Sequence, residues 1–199
     1  MATYAHGTPD WVDIGSPDMD ATAAFYGGLF GWTTTEPGPV EETGGYRMFL
    51  QDGKMVAGLG PAQEGQPTVW TTYLAADDAD KVAELVKANG GAVFMDPFDV
   101  MDAGRMGIFA DPTGAVFGVW QAGQHTGAEL KGPAGSLIWS ELMTRDVDAA
   151  KAFYAEVFGL QPSLFPGSGG QPYTILSVGE EGVAGILAMG DDFPPEVPN

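Results

Sequence analysis

Two places in this chain combine residue types at a spacing that suits chemistry, and each sets an aromatic ring beside an acid. Side chains alternate along an extended strand, so in Trp11-Val-Asp-Ile14 the indole and Asp13 share one face while Val12 and Ile14 share the other. The aliphatic pair suits a helix-covered side, which turns Trp11 and Asp13 toward a pocket side. Trp139 and Glu141 repeat the arrangement, and Thr71 and Tyr73 hold the equivalent places in the middle of the chain. An aromatic plate with one acid suits a small, apolar, aromatic ligand. A carboxylate kept dry against indole has a raised pKa and can serve as a general base, the role expected of Asp13 or Glu141 in an enzyme. The plainer alternative is that both tryptophans fill space and both acids are satisfied by backbone donors. Arg105 is placed to meet an anionic or carbonyl-bearing ligand, or to pair with a local acid such as Asp102 or Asp111. Asp96, Asp99 and Asp102 lack the alternating ligands and terminal glutamate of a calcium loop and read as solvated loop charges. The two histidines, His6 and His125, fall in segments expected to be exposed loops, so a Ser-His-Asp set would have to recruit a loop residue. With no cysteine there is no thiolate nucleophile and no Cys-type metal site.

Charge narrows the partners. Eight basic residues against 27 acidic ones give a formal net charge of -19, which repels phosphate backbones and anionic lipid, so neither nucleic acid nor membrane is an expected partner. No apolar run reaches the ~20 residues that span a bilayer, and residues 1–15 lack a basic segment followed by an apolar core. A reducing, cytoplasmic setting is expected from this and from the missing cysteines. Apolar residues at 44% supply enough buried surface to offset the entropy of folding, so a globular chain is expected.

The elements that must position these residues recur. Residues 7–31 align with residues 135–159 at a constant offset of 128, with identities that include Trp11/Trp139, Asp18/Asp146, Phe25/Phe153, Tyr26/Tyr154 and Gly31/Gly159. Beyond a one-residue deletion, Tyr46 faces Tyr173 and Val56-Ala57-Gly58 faces Val183-Ala184-Gly185. A weaker copy begins at Asp78-Ala-Asp80. Modules therefore start near residues 8, 68 and 136. In the first, a strand at Trp11 leads to a helix capped by Ser16 with Pro17 at its first position and ended by Gly31, then to strands at 46–50 and 55–59 joined by Asp52-Gly53. The second has a helix from about Asp78 to Ala88 and strands at 92–95, 106–110 and 116–121, the last two joined by Asp111-Pro-Thr-Gly114. The fold class is α+β: repeated βαβββ modules, with residues 1–122 as one complete two-module half-open barrel, 123–134 as a linker and 135–199 as a third, unpaired module.

These residues, chiefly the Asp-x-Asp-Ala…Ala-Phe-Tyr…Phe-Gly helix of modules one and three and Asp111-Pro-Thr-Gly114, resemble the vicinal oxygen chelate superfamily of glyoxalases, extradiol dioxygenases and bleomycin resistance proteins. The resemblance covers nearly the whole chain and extends to tandem actinobacterial proteins described as glyoxalase-like or as polyketide hydroxylase components. It implies a divalent metal held by His and Glu side chains on the concave sheet face. Here the matching positions carry Trp11, Thr71 and Gly118, which offer no such donors, so no metal and no cofactor are expected. The expected function is metal-independent binding of a small aromatic or polyketide-like molecule, for sequestration or delivery, by Trp11, Thr71, Tyr73, Arg105 and Trp139. The alternative is a glyoxalase-like lyase or a polyketide-tailoring hydroxylase component that uses Asp13 or Glu141. A lone third module leaves a strand edge open, so a homodimer through residues 135–199 is expected, with docking onto the same chain as the alternative.

Overall fold

The computed structural model describes residues 4–62, 65, 67–165, 172–190, 193–194, 197 and 199. Module one comprises β1 (Pro9–Ser16), α1 (Met19–Phe30), β2 (Thr33–Thr34), α2 (Val40–Thr43), β3 (Arg47–Gln51) and β4 (Lys54–Pro61). Module two comprises β5 (Val69–Ala75), α3 (Ala79–Ala88), β6 (Ala92–Val100), β7 (Gly104–Ala110) and β8 (Val116–Ala122), and module three β9 (Glu141–Thr144), α4 (Val147–Phe158), β10 (Gln161–Leu164), β11 (Tyr173–Val178) and β12 (Glu181–Ala188). Strand order repeats as β2-β3-β4-β1, β5-β8-β7-β6 and β10-β11-β12-β9. In each module an antiparallel meander closes by laying its last strand parallel to its first. Even the irregularities recur: the β3–β4 ladder shifts register between Phe49 and Leu50, and the β11–β12 ladder between the matching Leu176 and Ser177.

The helix starts differ from the Ser16 expectation. Asp18, Asp78 and Asp146 are the N-caps, each carboxylate accepting the amide three residues on at 2.9 Å. Ser16 ends β1 instead, and its Oγ accepts hydrogen bonds from the Asp18 amide and the Thr22 hydroxyl. An aspartate at the cap also places its charge at the positive end of the helix, which serine cannot. Gly31 and Gly159 end α1 and α4 in the left-handed conformation, as expected. Strand β6 runs on to Val100, so Asp96 and Asp99 lie on a strand and not in a loop. Pro97 is tolerated there because β6 is an edge strand with register shifts around it.

The chain divides into two compact units. The first holds residues 10–72 and 126–138. Its core is Ile14, Phe49, Val56, Ala57 and Leu59, flanked by Tyr26, Trp32 and Leu130. The segment expected as a linker is not a free tether, because its later part is laid on module one. Met55 and Glu129 exchange backbone and side-chain hydrogen bonds at 2.8 Å, the Ala128 amide donates to the Asp10 carbonyl, and Trp32 Nε1 donates to the Gly135 carbonyl.

The second unit holds residues 4–9, 73–125 and 139–199. Modules two and three share one core here, in which Ala79, Val82, Ala83 and Val86 of α3 join Phe153, Tyr154, Val157 and Phe158 of α4. Among the described residues no strand pairs with the outer edge of β9, while α4 packs against α3. His125, expected in the open, is buried in this unit with its ring edge-on to Trp120, whose Nε1 donates to the His125 carbonyl. His6 is half-buried and its Nδ1 accepts the Asp77 amide. Arg145 gathers the chain end through the carbonyls of Pro194 and Val197, and the intervening tail residues lie outside the described ones.

Candidate functional site

Trp11 and Asp13 do share a face of β1, and one phenol joins them. Trp11 Nε1 donates to the Tyr46 hydroxyl at 3.1 Å, and that hydroxyl donates to Asp13 Oδ2 at 3.2 Å. Module three builds the same relay more tightly: Trp139 Nε1 donates to the Tyr173 hydroxyl at 2.7 Å, and Tyr173 donates to Glu141 Oε1 at 2.6 Å. Tyr46 immediately precedes β3 and Tyr173 begins β11, in each module the strand next to the closing one, and each ring leans over a glycine. A Cβ on Gly58 would lie 1.7 Å from the Tyr46 hydroxyl, and one on Gly185 would lie 1.9 Å from that of Tyr173. Gly118 of module two lies under the ring of Tyr73, where an added Cβ would lie 2.2 Å from the ring.

These glycines bear directly on the metal that the fold implies. The first-strand positions carry indole or hydroxyl, the closing-strand position Gly118 has no side chain, and an aromatic ring lies over it. Among the described residues no group of three or more His, Cys, Asp or Glu is arranged to hold a metal ion. The residues present do not fit a divalent ion, which needs several converging donors.

The two relays differ in access. Trp11 is 4% exposed, whereas Trp139 is 37% exposed beside an exposed Glu141 and a half-buried Tyr173. Phe165 lies edge-on to Tyr173 at 6.3 Å, extending the open aromatic surface. Partial burial and the Glu141 hydrogen bond both raise the Tyr173 pKa, with only the Trp139 contact opposing, so the phenol stays protonated and the carboxylate stays its acceptor. Asp13 and Glu141 thus each accept a hydrogen bond from a tyrosine hydroxyl.

The remaining expected site residues separate. Thr71 is half-buried in the first unit, while Tyr73 belongs to the second and is buried. Arg105 is committed to local acids, though not the expected ones. Its guanidinium takes both oxygens of Asp80 and one of Asp99, each at 2.9 Å, and donates to the Pro97 carbonyl at 2.8 Å. Asp102 sits at the hairpin tip, and Asp111 is buried holding its own turn through Thr113 and Ala115. One group escaped the sequence reading altogether. Asp10, on the aliphatic face of β1, is almost completely buried, and its pKa is pushed up to about 8 by desolvation, against which backbone amides and Lys131 pull down. A carboxylate in step with Val12 and Ile14 was the available signal.

Three modules that each close a meander parallel onto its first strand, with an aromatic–acid relay on the sheet in two of them, define a repeated βαβββ protein. Residues 8–119 match the family described as the Glyoxalase/Bleomycin resistance protein/Dioxygenase superfamily, and the chain belongs to it. It is 43% identical over 208 residues to the anthracycline biosynthesis protein DnrV of Streptomyces peucetius, covering 96% of this chain and 74% of the relative. It is 44% identical over 201 residues to the putative glyoxylase CFP32 of Mycobacterium tuberculosis, covering 98% and 76%. Among solved structures it resembles a Mn(II)-bound glyoxalase from Novosphingobium aromaticivorans, with TM-score 0.64 at 23% identity, over 94% of this chain and 63% of that one. The 2,3-dioxygenase LapB from Pseudomonas sp. KL28 gives TM-score 0.63 at 15% identity, over 94% and 73%. These structures share the fold. The chain spans about three quarters of the curated relatives and under two thirds of the solved glyoxalase.

Proposed function

We propose that this protein binds a small aromatic, polyketide-like molecule without a divalent metal, for sequestration or delivery, and that Trp139, Tyr173 and Glu141 are its open contact set. The observation that carries the reading is the relay itself, built twice in one chain and left accessible once. Its open copy offers an indole face, a phenol edge and one carboxylate acceptor, which suits a flat ring system bearing hydroxyl groups. In the Trp11–Tyr46–Asp13 copy the indole is buried and the phenol and carboxylate are half-buried, so its aromatic plate is closed to a ligand. The relative named for anthracycline biosynthesis fits an aromatic ligand of this kind. Arg105, saturated by Asp80 and Asp99, takes no part. Titration with hydroxylated anthraquinones should quench tryptophan emission, and Trp139→Ala should weaken binding by about tenfold or more. Unchanged affinity in that variant would remove the assignment.

The second reading is catalytic, and the exposed Glu141 supports it. Glu141 is a carboxylate held by a neutral phenol, a usable base for a glyoxalase-like lyase or a polyketide-tailoring hydroxylase component. The relative named a putative glyoxylase fits that reading. Glu141→Gln separates the two: it should abolish turnover with binding retained if the acid is a base, and only alter affinity if the protein is a carrier.

A further inference from the structure

Strands β1 and β4 run side by side from the Asp13–Gly58 pair onward, and no ladder pair between them precedes it. The segment 126–138 takes up the backbone groups that lie before that pair. The Ala128 amide donates to the Asp10 carbonyl and the Glu129 amide to the Met55 carbonyl, both at 2.8 Å, while the Met55 amide donates to Glu129 Oε2 at the same distance. Leu130 then packs against the module-one core, and the Gln51 and Trp32 side chains donate to the carbonyls of Ala134 and Gly135. Asp10 lies at this seam. Its side chain is enclosed, at 1% exposure for the residue, and its Oδ1 has no hydrogen-bond partner among the described residues.

The closed seam suits a neutral carboxyl. An ionised one shut away from water with an unsatisfied oxygen is costly, and only backbone amides and Lys131, on the segment itself, offset that cost. Asp13 is on the other face of β1, Glu129 is exposed with Oε2 given to Met55, and Lys54 is exposed at the start of β4. Residues 126–138 contain no strand of the sheets, so lifting them breaks no rung of the β1–β4 ladder. They are the cover that can move.

We propose that residues 126–138 form a proton-operated latch on module one, closed over neutral Asp10 and released when that carboxyl ionises. The sign follows from burial. The latched state keeps the Asp10 proton up to about pH 8, whereas a solvated Asp10 loses it near 3.8. Between those values each pH unit favours the released state by about tenfold, and above the higher one the gain levels off. Release bares the backbone of Asp10 and Met55 and the seat of Leu130.

Amide hydrogen exchange of Ala128 and Glu129 in the 199-residue chain, followed by NMR and corrected for the intrinsic rate, reads the latch. From pH 5 to pH 7 their protection should fall by about a hundredfold in the parent and stay constant in Asp10→Asn. Lys131→Gln removes the offsetting charge, so its protection should go on falling above pH 8, where that of the parent is level. Protection in the parent that does not vary with pH would overturn the proposal. So would exchange of Ala128 and Glu129 at the rate of the core amides of Phe49 and Leu59, which would make the opening global unfolding.

Discussion

Replacing Asp10 by asparagine tests the energetics of the first unit. The unfolded carboxyl titrates near 3.8 and the folded one near 8, chiefly because burial penalises the charged form. Its Oδ1 is enclosed with no hydrogen-bond partner among the described residues. Between these two values the native state holds the proton more tightly than the unfolded chain. The contribution of Asp10 to stability is therefore fully present below about pH 4 and is lost as pH rises through about 8. At pH 7 roughly three pKa units separate the pH from the unfolded value, which at about 1.4 kcal/mol each is on the order of 4 kcal/mol. Asp10→Asn removes the titration while keeping the shape. Urea unfolding at pH 5 and pH 8 should show the variant gaining on the parent by about 2 kcal/mol or more between the two, with His6 and His125 cancelling in the difference. A gap that stays constant across that range would show that Asp10 titrates normally, and the argument from burial would fail.

Gly58→Ala should destabilise by about 3 kcal/mol or more, because the new methyl occupies the place of the Tyr46 hydroxyl and Asp13 Cβ closes the other side at 2.9 Å; thermal melting checks it, and a neutral outcome would mean the relay is not held as described. Chelators should leave the melting temperature unchanged, since Trp11, Thr71 and Gly118 stand where donors are needed; one tightly bound equivalent of zinc, nickel, iron or manganese in a metal assay would refute this. Arg105→Ala should lower the melting temperature slightly and leave anthraquinone affinity alone, and lost affinity would return Arg105 to the ligand site. Pairing of two chains through residues 135–199 remains our proposal for the open edge of β9. Sedimentation at micromolar concentration should then show a dimer, and a monomer whose residues 139–165 resist proteolysis would exclude it.

Much of the fold was legible because repetition exposes it: aspartate helix starts, Gly31 and Gly159, Asp52-Gly53 and the paired Tyr46 and Tyr173 all lie in alignable stretches. Alternation alone put Trp11 with Asp13. The relay itself was not legible, since it needs the β3–β4 register to carry Tyr46 over Gly58, and a register depends on partners distant in sequence. Burial of the helices was illegible for a deeper reason. Ala-Phe-Tyr reads the same in α1 and α4, and only the neighbour decides whether its rings meet protein or water. His125 was misjudged likewise, because a loop that folds back on Trp120 carries no local sign of doing so.

The strap formed by residues 126–138 has a consequence for how the protein is made. The first unit is discontinuous in sequence, so during vectorial synthesis β1 to β4 leave the ribosome long before the segment that covers Asp10 and pairs with Met55. All of residues 73–125 must be translated in between, and the second unit to which they belong needs residues 139–199, which follow later still. The N-terminal unit is thus completed only when residues 126–138 emerge, and a nascent chain stalled at residue 123 would carry β1 without its strap.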